Sequence, residues 1–272
     1  MVKGKAVSNQ EIDMLHGRIW TKVLRYALPV AATGILEQLF NASGIMIVGN
    51  FSQGDGTAAV AAVGSNAPVT GLILNLFIGI ALGANVVIAN AIGRSSQSAV
   101  RKAVHTSIVT ALIGGVIVAV IGELLAAPLL GMLNVTVEVF PLALTYLRIY
   151  LIGMPVILLY NFEAAIFRSV GDTQAPLAVL AVSGVLNVTM GLILVILFHL
   201  GVAGVATATV IANIASSMIL LYRLAHTDAA IRVDLRELGI DPLTLRQIMR
   251  IGLPAGVQSA VFAVANIIIQ AA

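Results

Sequence analysis

Long apolar stretches separated by short polar segments dominate this sequence. About 20 apolar residues in a helix cross a hydrocarbon core of about 30 Å. Seven stretches meet this requirement, and the second and fourth are long enough to tilt or to extend into water. The predicted spans are 26–50, 58–91, 103–130, 139–167, 175–198, 201–222 and 251–272. Their residues do not alternate with a period of two, so transmembrane strands are excluded and an all-α, polytopic membrane helix bundle is predicted.

Composition supports a lipid environment. Of 272 residues, 59% are hydrophobic and 10% are charged, and the mean hydropathy is +1.03. A soluble domain has about 25% charged residues. The formal charge of +3 does not indicate nucleic acid, because the cations lie between apolar blocks rather than along one stripe. The chain has no cysteine, and no phosphate-binding loop or zinc-protease motif is present, so we predict that it is not an enzyme.

The lysines and arginines predict the orientation, because cytoplasmic loops carry an excess of them. All of them except Arg148 fall on one predicted side, and the loops near Asp55, Glu138 and His199 contain none. Arg148 lies 20 residues before Arg168, or about 30 Å along a helix, and can reach the outer interface. We therefore predict a multi-pass protein of the plasma (inner) membrane with a cytoplasmic N-terminus.

The polar segments divide the chain. Residues 1–25 read as a cytoplasmic amphipathic lead-in, 26–222 as a six-helix lobe, and 223–250 as a cytoplasmic connector. Asp241 and Pro242 are typical of an N-cap followed by proline at the first helical position, which would open a short helix leading into the last span.

A weak internal repeat suggests that 251–272 begins a second lobe. Arg25-Tyr-Ala-Leu28-Pro29 matches Arg250-Ile-Gly-Leu253-Pro254, and Asn41 and Asn266 keep the same offset. Six spans separate the copies, so both would enter from the cytoplasm as parallel repeats. We therefore expect half of a twelve-helix protein plus one helix, with a C-terminal lobe missing from this chain.

Several motifs together resemble the multidrug and toxic compound extrusion (MATE) family of the MOP superfamily. They are Leu28-Pro29, Leu39-Phe40-Asn41, Ala61-Ala62-Val63-Gly64, the turn Arg168-Ser-Val-Gly171-Asp172-Thr173-Gln-Ala-Pro176, Asn187, and Gly201-Val-Ala-Gly204-Val-Ala-Thr-Ala208-Thr209. The resemblance implies an exporter of amphiphilic, mostly cationic small molecules, driven by a proton or sodium gradient and without another cofactor.

The resemblance is to the DinF-like branch, with departures. That branch usually has an aspartate after each of the asparagines that Asn41 and Asn187 match, and here those positions are Gly44 and Gly191. Another branch has a glutamate where this chain has Phe262, whereas Glu37 occupies the repeat-related position in the first span. We hypothesise that the ion site has moved to Glu37.

Glu37 is the strongest candidate residue. It lies 12 residues past Arg25 and 13 before Asn50, about 18–20 Å from either boundary. A carboxylate at mid-membrane is costly unless it is neutral, paired or hydrated. It can therefore serve ion coupling, or simply form a protonated hydrogen bond between helices.

Neutral oxygen ligands are predicted near Glu37. Gln38 is its sequence neighbour and Asn41 lies one turn on, so Glu37 and Asn41 form a possible sodium site. By resemblance, four further residues line the same cavity: Tyr146, Asn161, Asn187 and Thr209. The alternative for each is an ordinary interhelical hydrogen bond.

Other polar residues are given structural roles. Glu123 is expected to be solvated at the outer interface, Glu163 to lie at the inner interface, and Asp172 to cap the turn before the fifth span. His105 and His199 are expected at helix ends, with a proton relay as the less favoured alternative.

Two further functions remain open. A lipid-precursor flippase of the same superfamily would share the helical plan, but many cations would be expected in its cavity. A non-transporting membrane fragment or assembly subunit would have the same spans without transport activity.

Overall fold

Every regular element in the described part of the chain is a helix. The computed structural model describes residues 19–52 and 55–271, without the side chains of 19, 21–22, 263–264 and 266–271. The helices are α1 (Ile19–Phe51), α2 (Gly56–Gly93), α3 (Gln97–Met132), α4 (Phe140–Ile152), α5 (Met154–Ser169), α6 (Gln174–Leu192, continued by a π-helical turn Ile193–Leu197), α7 (Gly201–His226) and α8 (Pro242–Ala271). The all-α prediction is confirmed, whereas residues 1–18 of the predicted lead-in lie outside the described residues.

Five of these helices are long and apolar enough to cross a membrane, and a sixth span results if α4 and α5 are counted together. They correspond to the first six predicted spans. Helix α1 begins at Ile19, seven residues earlier than predicted, and includes Pro29 in its first turns. Helix α8 is not among the candidate spans of the described residues, so the seventh predicted span remains a prediction.

The fourth predicted span is bent rather than straight. Helices α4 and α5 meet at Gly153 at an angle of 52°. Pro155 is the second residue of α5 and has no amide hydrogen, so the helical ladder is interrupted here. Gly115 of α3 packs against this bend, where a Cβ atom would collide with the Pro155 backbone.

An apolar surface surrounds the bundle. Large hydrophobic side chains of α3 lie exposed at spacings of three and four residues: Ile113, Val116, Ile117, Val120, Ile121 and Leu124. A continuous stripe of this kind is unfavourable in water but suits contact with lipid tails.

Two hydrophobic clusters hold the helices together. One includes Ile88, Ile108, Phe162 and Leu224 and lies towards the end of the bundle that carries Arg94, Lys102 and Arg168, here named the basic end. The other lies towards the opposite end and includes Leu130, Leu147 and Val205. Helix α1 contacts both clusters, with Phe40 packed against the first and Ile45 against the second.

The segment between α7 and α8 is docked onto α3. The backbone amide of Asp234 donates to Nε2 of His105 over 3.1 Å, and the amide of Asp241 donates to the Thr106 hydroxyl over 3.0 Å. Ile231 and Val233 are buried against the cluster at the basic end. His105 therefore has a structural role, because its Nε2 is occupied as a hydrogen-bond acceptor.

Ion pairs strengthen this docking. Arg101 pairs with Glu237, and Lys102 Nζ lies 3.4 Å from Asp241 Oδ1. Asp241 also caps α8 as predicted, since its Oδ2 accepts hydrogen bonds from the Thr244 amide at 3.0 Å and hydroxyl at 2.7 Å. The Thr244 hydroxyl and amide are the main cause that holds the pKa of Asp241 below its usual range, and the Lys102 ammonium adds to the effect.

Glycines permit close contact between α2 and α8. Gly79 and Gly83 of α2 face Gly252 and Gly256 of α8, and a Cβ at any of these positions would collide with, or press closely on, the facing backbone. Helices that approach in this way gain van der Waals contact without relying on a hydrophobic effect, which is absent in lipid.

We predict that Gly79→Ala destabilises the α2–α8 contact by about 1–3 kcal/mol, the usual cost of overpacking. Alanine favours helix over glycine, so a loss must come from the contact itself. Gly93→Ala in the same helix is the matched control, because no atom lies within 4 Å of its added Cβ. Unfolding in mixed detergent micelles measures both variants, and equal stability of Gly79→Ala and wild type would contradict the assignment.

The pKa of Asp241 predicts a pH dependence. Its pKa is lowered from the ordinary value of 3.8 in the folded protein. The contribution of the charged Asp241 side chain to the free energy of unfolding is therefore complete above pH 3.8, and it is lost as the pH falls through the lowered pKa. Asp241→Asn should lower the unfolding midpoint at pH 7, and the difference from wild type should shrink below about pH 4. A difference that is constant from pH 7 to pH 2 would show that the charge is not involved.

Candidate functional site: a polar cavity within the lobe

Two adjoining cavities lie between α1, α2, α4, α5, α6 and α7. The larger has a volume of about 450 Å³ and the smaller about 130 Å³. Glu37, Asn41 and Thr209 line both of them. The larger cavity is within the size range of small-molecule sites, about 300–1,000 Å³.

All seven predicted coupling or substrate residues line these cavities. Gln38 and Tyr146 line the larger one, and Asn161 and Asn187 line the smaller one. The remaining three are shared. The structure thus brings together residues from α1, α4, α5, α6 and α7, while their roles remain predictions.

Glu37 occupies the centre of this arrangement. Its side chain is half-buried and lies on the wall common to the two cavities. Tyr150 and Tyr160 line the smaller cavity together with it. The carboxyl faces a polar space rather than hydrocarbon, so both its charged and neutral forms can be accommodated.

Amide groups present oxygen atoms to the cavities. The Nδ2 atoms of Asn75, Asn161 and Asn213 donate to carbonyl oxygens one turn earlier in their own helices, over 2.8, 2.8 and 2.9 Å. These bonds fix the amide orientation and leave each Oδ1 as an acceptor. The Thr209 hydroxyl likewise donates to Val205, over 3.0 Å. Neither cavity is lined by a lysine or arginine among the described residues, so the electrostatics favour a positively charged occupant.

Several lining residues were not predicted. Tyr150 stacks on Tyr146 with ring centroids 6.0 Å apart, and Asn213 follows Thr209 by one turn. Helical spacing from the predicted residues would have identified both. Tyr160 lines the smaller cavity, and its buried hydroxyl has no hydrogen-bond partner in the described structure. Tyr160 directly precedes Asn161 and is not one helical turn away from it, so helical spacing did not identify Tyr160.

Gly44 and Gly191, where the resemblance led us to expect aspartates, are packed against apolar side chains. A Cβ at Gly44 would lie 3.0 Å from Val205 Cγ1, and one at Gly191 would lie 3.3 Å from Ile47 Cδ1. Carboxylates at these positions would need their neighbours to move. The local packing is thus consistent with Glu37 as the carboxylate of this cavity.

The predicted turn before α6 lies apart from the cavities. Gly171 has φ +83°, a conformation that favours glycine. Asp172 Oδ1 accepts from the Ala175 amide over 2.9 Å, which confirms its capping role. The Arg168 carbonyl accepts from the Tyr26 hydroxyl over 3.4 Å. Thr173 and Pro176 are buried at the start of α6, and the turn therefore joins α5 and α6 tightly at the basic end.

Two glutamates have surroundings that differ from the prediction. Glu163 was expected at the membrane interface, but it is fully buried, because α5 is flanked by α2, α3 and α7. Among the described residues neither of its carboxyl oxygens meets hydrogen-bond geometry with a partner, although the Ser217 hydroxyl of α7 lies beside it. Glu123 was expected to be only solvated, but its Oε2 lies 3.5 Å from Arg148 Nε.

Comparisons with known proteins agree with this architecture. Residues 29–193 match the sequence profile of the MatE family. The chain is 28% identical over 256 residues to the probable multidrug resistance protein YoeA of Bacillus subtilis, which covers 92% of this chain and 55% of YoeA. It is 26% identical over 247 residues to the probable multidrug resistance protein NorM of Thermotoga maritima, covering 89% of this chain and 52% of NorM.

The fold is also similar to that of solved transporters. A structure described as the outward-facing conformation of a multidrug resistance MATE family transporter of the MOP superfamily aligns with a TM-score of 0.85 and 24% identity, covering 96% of this chain and 57% of that one. The chain spans about half the length of the curated relatives it matches. With the profile match over 29–193, these findings establish that the chain belongs to the MatE family, a family of membrane transporters and not of enzymes.

Proposed function

We propose that this chain forms the first lobe of a cation-coupled antiporter that exports amphiphilic, positively charged small molecules. The observation that carries the proposal is the position of Glu37 on the wall shared by the two cavities, among acceptor oxygens and without a lining lysine or arginine in the described structure. Because the chain spans about half the length of its relatives, the activity is proposed for a protein that also contains a second lobe.

The proposed mechanism depends on competition for one negative charge. A proton or a sodium ion neutralises Glu37, with Asn41 as a possible second sodium ligand. A cationic substrate needs the same carboxylate in its charged form, so ion and substrate bind alternately. Neutralisation would also change how α1 packs against α6 and α7, which supplies the link to alternating access between the lobes.

The acceptor oxygens extend this selectivity to the rest of the substrate. Asn161 and Asn213 each donate one amide N–H within their own helices, and the Thr209 hydroxyl donates its hydrogen in the same way. They therefore offer lone pairs to an ammonium or a similar donor, while Tyr146 and Tyr150 provide aromatic faces for its apolar part. The names of the relatives YoeA and NorM, both probable multidrug resistance proteins, support this substrate class.

Branch membership and topology complete the proposal. We assign the chain to the DinF-like branch on Asn41 and Asn187, with the coupling carboxylate moved from the positions of Gly44 and Gly191 to Glu37. The N-terminus and the basic end lie on the cytoplasmic side of the plasma membrane, as the excess of lysine and arginine favours. A flippase of phosphorylated lipid precursors is disfavoured, because its anionic substrate would face Glu37 without a compensating lining cation.

Glu37→Gln in the two-lobed protein should abolish gradient-driven transport, because glutamine keeps the size and polarity of the side chain but cannot change charge. The measurement is ethidium transport in proteoliposomes, with a proton gradient and a sodium gradient imposed separately to identify the coupling ion. Glu138→Gln is the matched control, since Glu138 is exposed in the loop before α4.

Membrane insertion and the unfolding midpoint of Glu37→Gln should match the wild type. Gradient-driven transport that persists in this variant would reject Glu37 as the coupling group. The 272-residue chain without a second lobe should not transport, and transport by this chain alone would reject the two-lobed scheme.

Glu163 tests whether a second buried carboxyl takes part. Glu163→Met replaces an unpartnered polar group by an apolar one of similar size, and we expect it to leave the protein as stable or to stabilise it by about 1–3 kcal/mol. Because Glu163 does not line either cavity, transport should persist. A variant that is stable but has lost gradient-driven transport would show that Glu163, and not Glu37 alone, participates in coupling.

A further inference from the structure

A separate cavity lies at the basic end, between α2, α3 and α8. Its volume is about 470 Å³, and Arg94, Lys102, Asn90 and Gln247 contribute polar side chains to it. It shares no lining residue with the cavities that contain Glu37. The proposed transport mechanism does not use this space.

The charges around this cavity leave an excess of positive potential. Asp241 is its acidic lining residue, and the carboxylate is already engaged by Thr244 and Lys102. Arg94 is exposed and has no carboxylate within ion-pair distance in the described part of the chain. With two cations against one anion, an anionic group is the occupant that the cavity favours.

Helix α3 adds to this preference. Its N-cap residue, Ser96, and its third helical residue, Ala99, both line the cavity, and the Ser96 side chain makes no capping hydrogen bond to the described residues. The first turn of α3 therefore borders the same space as Arg94. Helix N-termini and cations together are a common arrangement for phosphate groups.

The cavity also has an apolar inner part. Val87 precedes Arg94 by seven residues, or about 10 Å along α2, and Ile251 follows Pro242 by nine residues, or about 14 Å along α8. Ile251 is 39% exposed. Charged groups at the rim and hydrocarbon-like side chains deeper in the bundle suit a molecule with a phosphate head and acyl chains. A free inorganic anion would leave the apolar part unused.

We propose that this cavity binds the headgroup phosphate of an anionic phospholipid from the leaflet at the basic end. Arg94, Lys102 and the first turn of α3 hold the phosphate, and the acyl chains follow Val87 and Ile251 along α2 and α8. Since the cavity is formed by two helices of the lobe and by α8, the lipid would hold α8 against α2 and α3. This adds to the glycine contact and to the Asp241–Lys102 ion pair at the same junction.

The test compares lipid binding by four forms of the full chain purified in dodecyl maltoside: wild type, Arg94→Gln, Arg94→Lys and Arg232→Gln. Arg232 is an exposed cation of the α7–α8 connector that does not line the cavity. Native mass spectrometry with dioleoyl phosphatidylglycerol measures the affinity. We expect Arg94→Gln to bind about fivefold more weakly than wild type, the usual effect of one cation near a lipid headgroup. Arg94→Lys and Arg232→Gln should both retain the wild-type affinity.

Two further ligands identify the chemistry. Dioleoyl phosphatidylcholine, whose phosphate is neutralised by choline, should bind more weakly than phosphatidylglycerol. Inorganic phosphate should not displace the bound lipid at equimolar concentration. Equal phosphatidylglycerol affinity in wild type and Arg94→Gln would overturn the proposal. An equal loss of phosphatidylglycerol affinity in Arg94→Gln and Arg232→Gln would overturn the assignment of the cavity as the binding site, because it would indicate attraction of the lipid to the whole basic surface. Displacement by inorganic phosphate would overturn the lipid assignment in favour of a free anion.

Discussion

The cost of an unsatisfied polar group in hydrocarbon governs this structure. Serine, threonine and asparagine side chains within the helices mostly donate to a carbonyl oxygen three or four residues earlier, as Thr33, Ser107, Thr189 and Ser216 do. Such bonds satisfy the donors locally and let polar residues occur in apolar helices. Several of the remaining acceptor oxygens face the cavity beside Glu37, whereas the buried Glu163 carboxyl lies outside it.

The two hydrophobic clusters give this cavity its position. They fill the two ends of the lobe and leave the middle of α1 beside small residues, including Gly44, Gly64 and Gly71. The bend at Gly153 shifts the direction of the fourth span at this level, so that Tyr146 and Tyr150 come from α4 while Tyr160 and Asn161 come from α5. One span thereby lines two adjoining cavities with aromatic and amide groups.

The basic end joins three features that reinforce one another. The connector is anchored to α3 through His105 and Thr106, α8 is capped by Asp241, and the glycines of α2 and α8 meet directly. The α7–α8 segment is thus a docked part of the fold rather than a loose linker. Under the proposed function, α8 is the first helix of the second lobe, so this junction is where lobe movement would be resisted or released.

The sequence alone determined that the protein lies in lipid, that its fold is all-α, the order of the first six spans and the family. These properties depend on local composition and on motifs. It also identified seven cavity residues: Glu37, with Gln38 and Asn41 beside it, because a carboxylate at mid-membrane depth is costly enough to indicate a polar space, and the other four through the family resemblance. The tertiary structure decided what local patterns do not encode. Pro155 alone could not fix the direction of the bend. In the sequence, Glu163 cannot be distinguished from a glutamate at the membrane interface, but residues of α2, α3 and α7 bury it completely in the fold. Two contacts likewise depend on which helices become neighbours: that of Gly79 and Gly83 with Gly252 and Gly256, and that of Glu123 with Arg148. The choice of neighbouring helices is set by the packing of several helices together, which no local pattern in the sequence encodes.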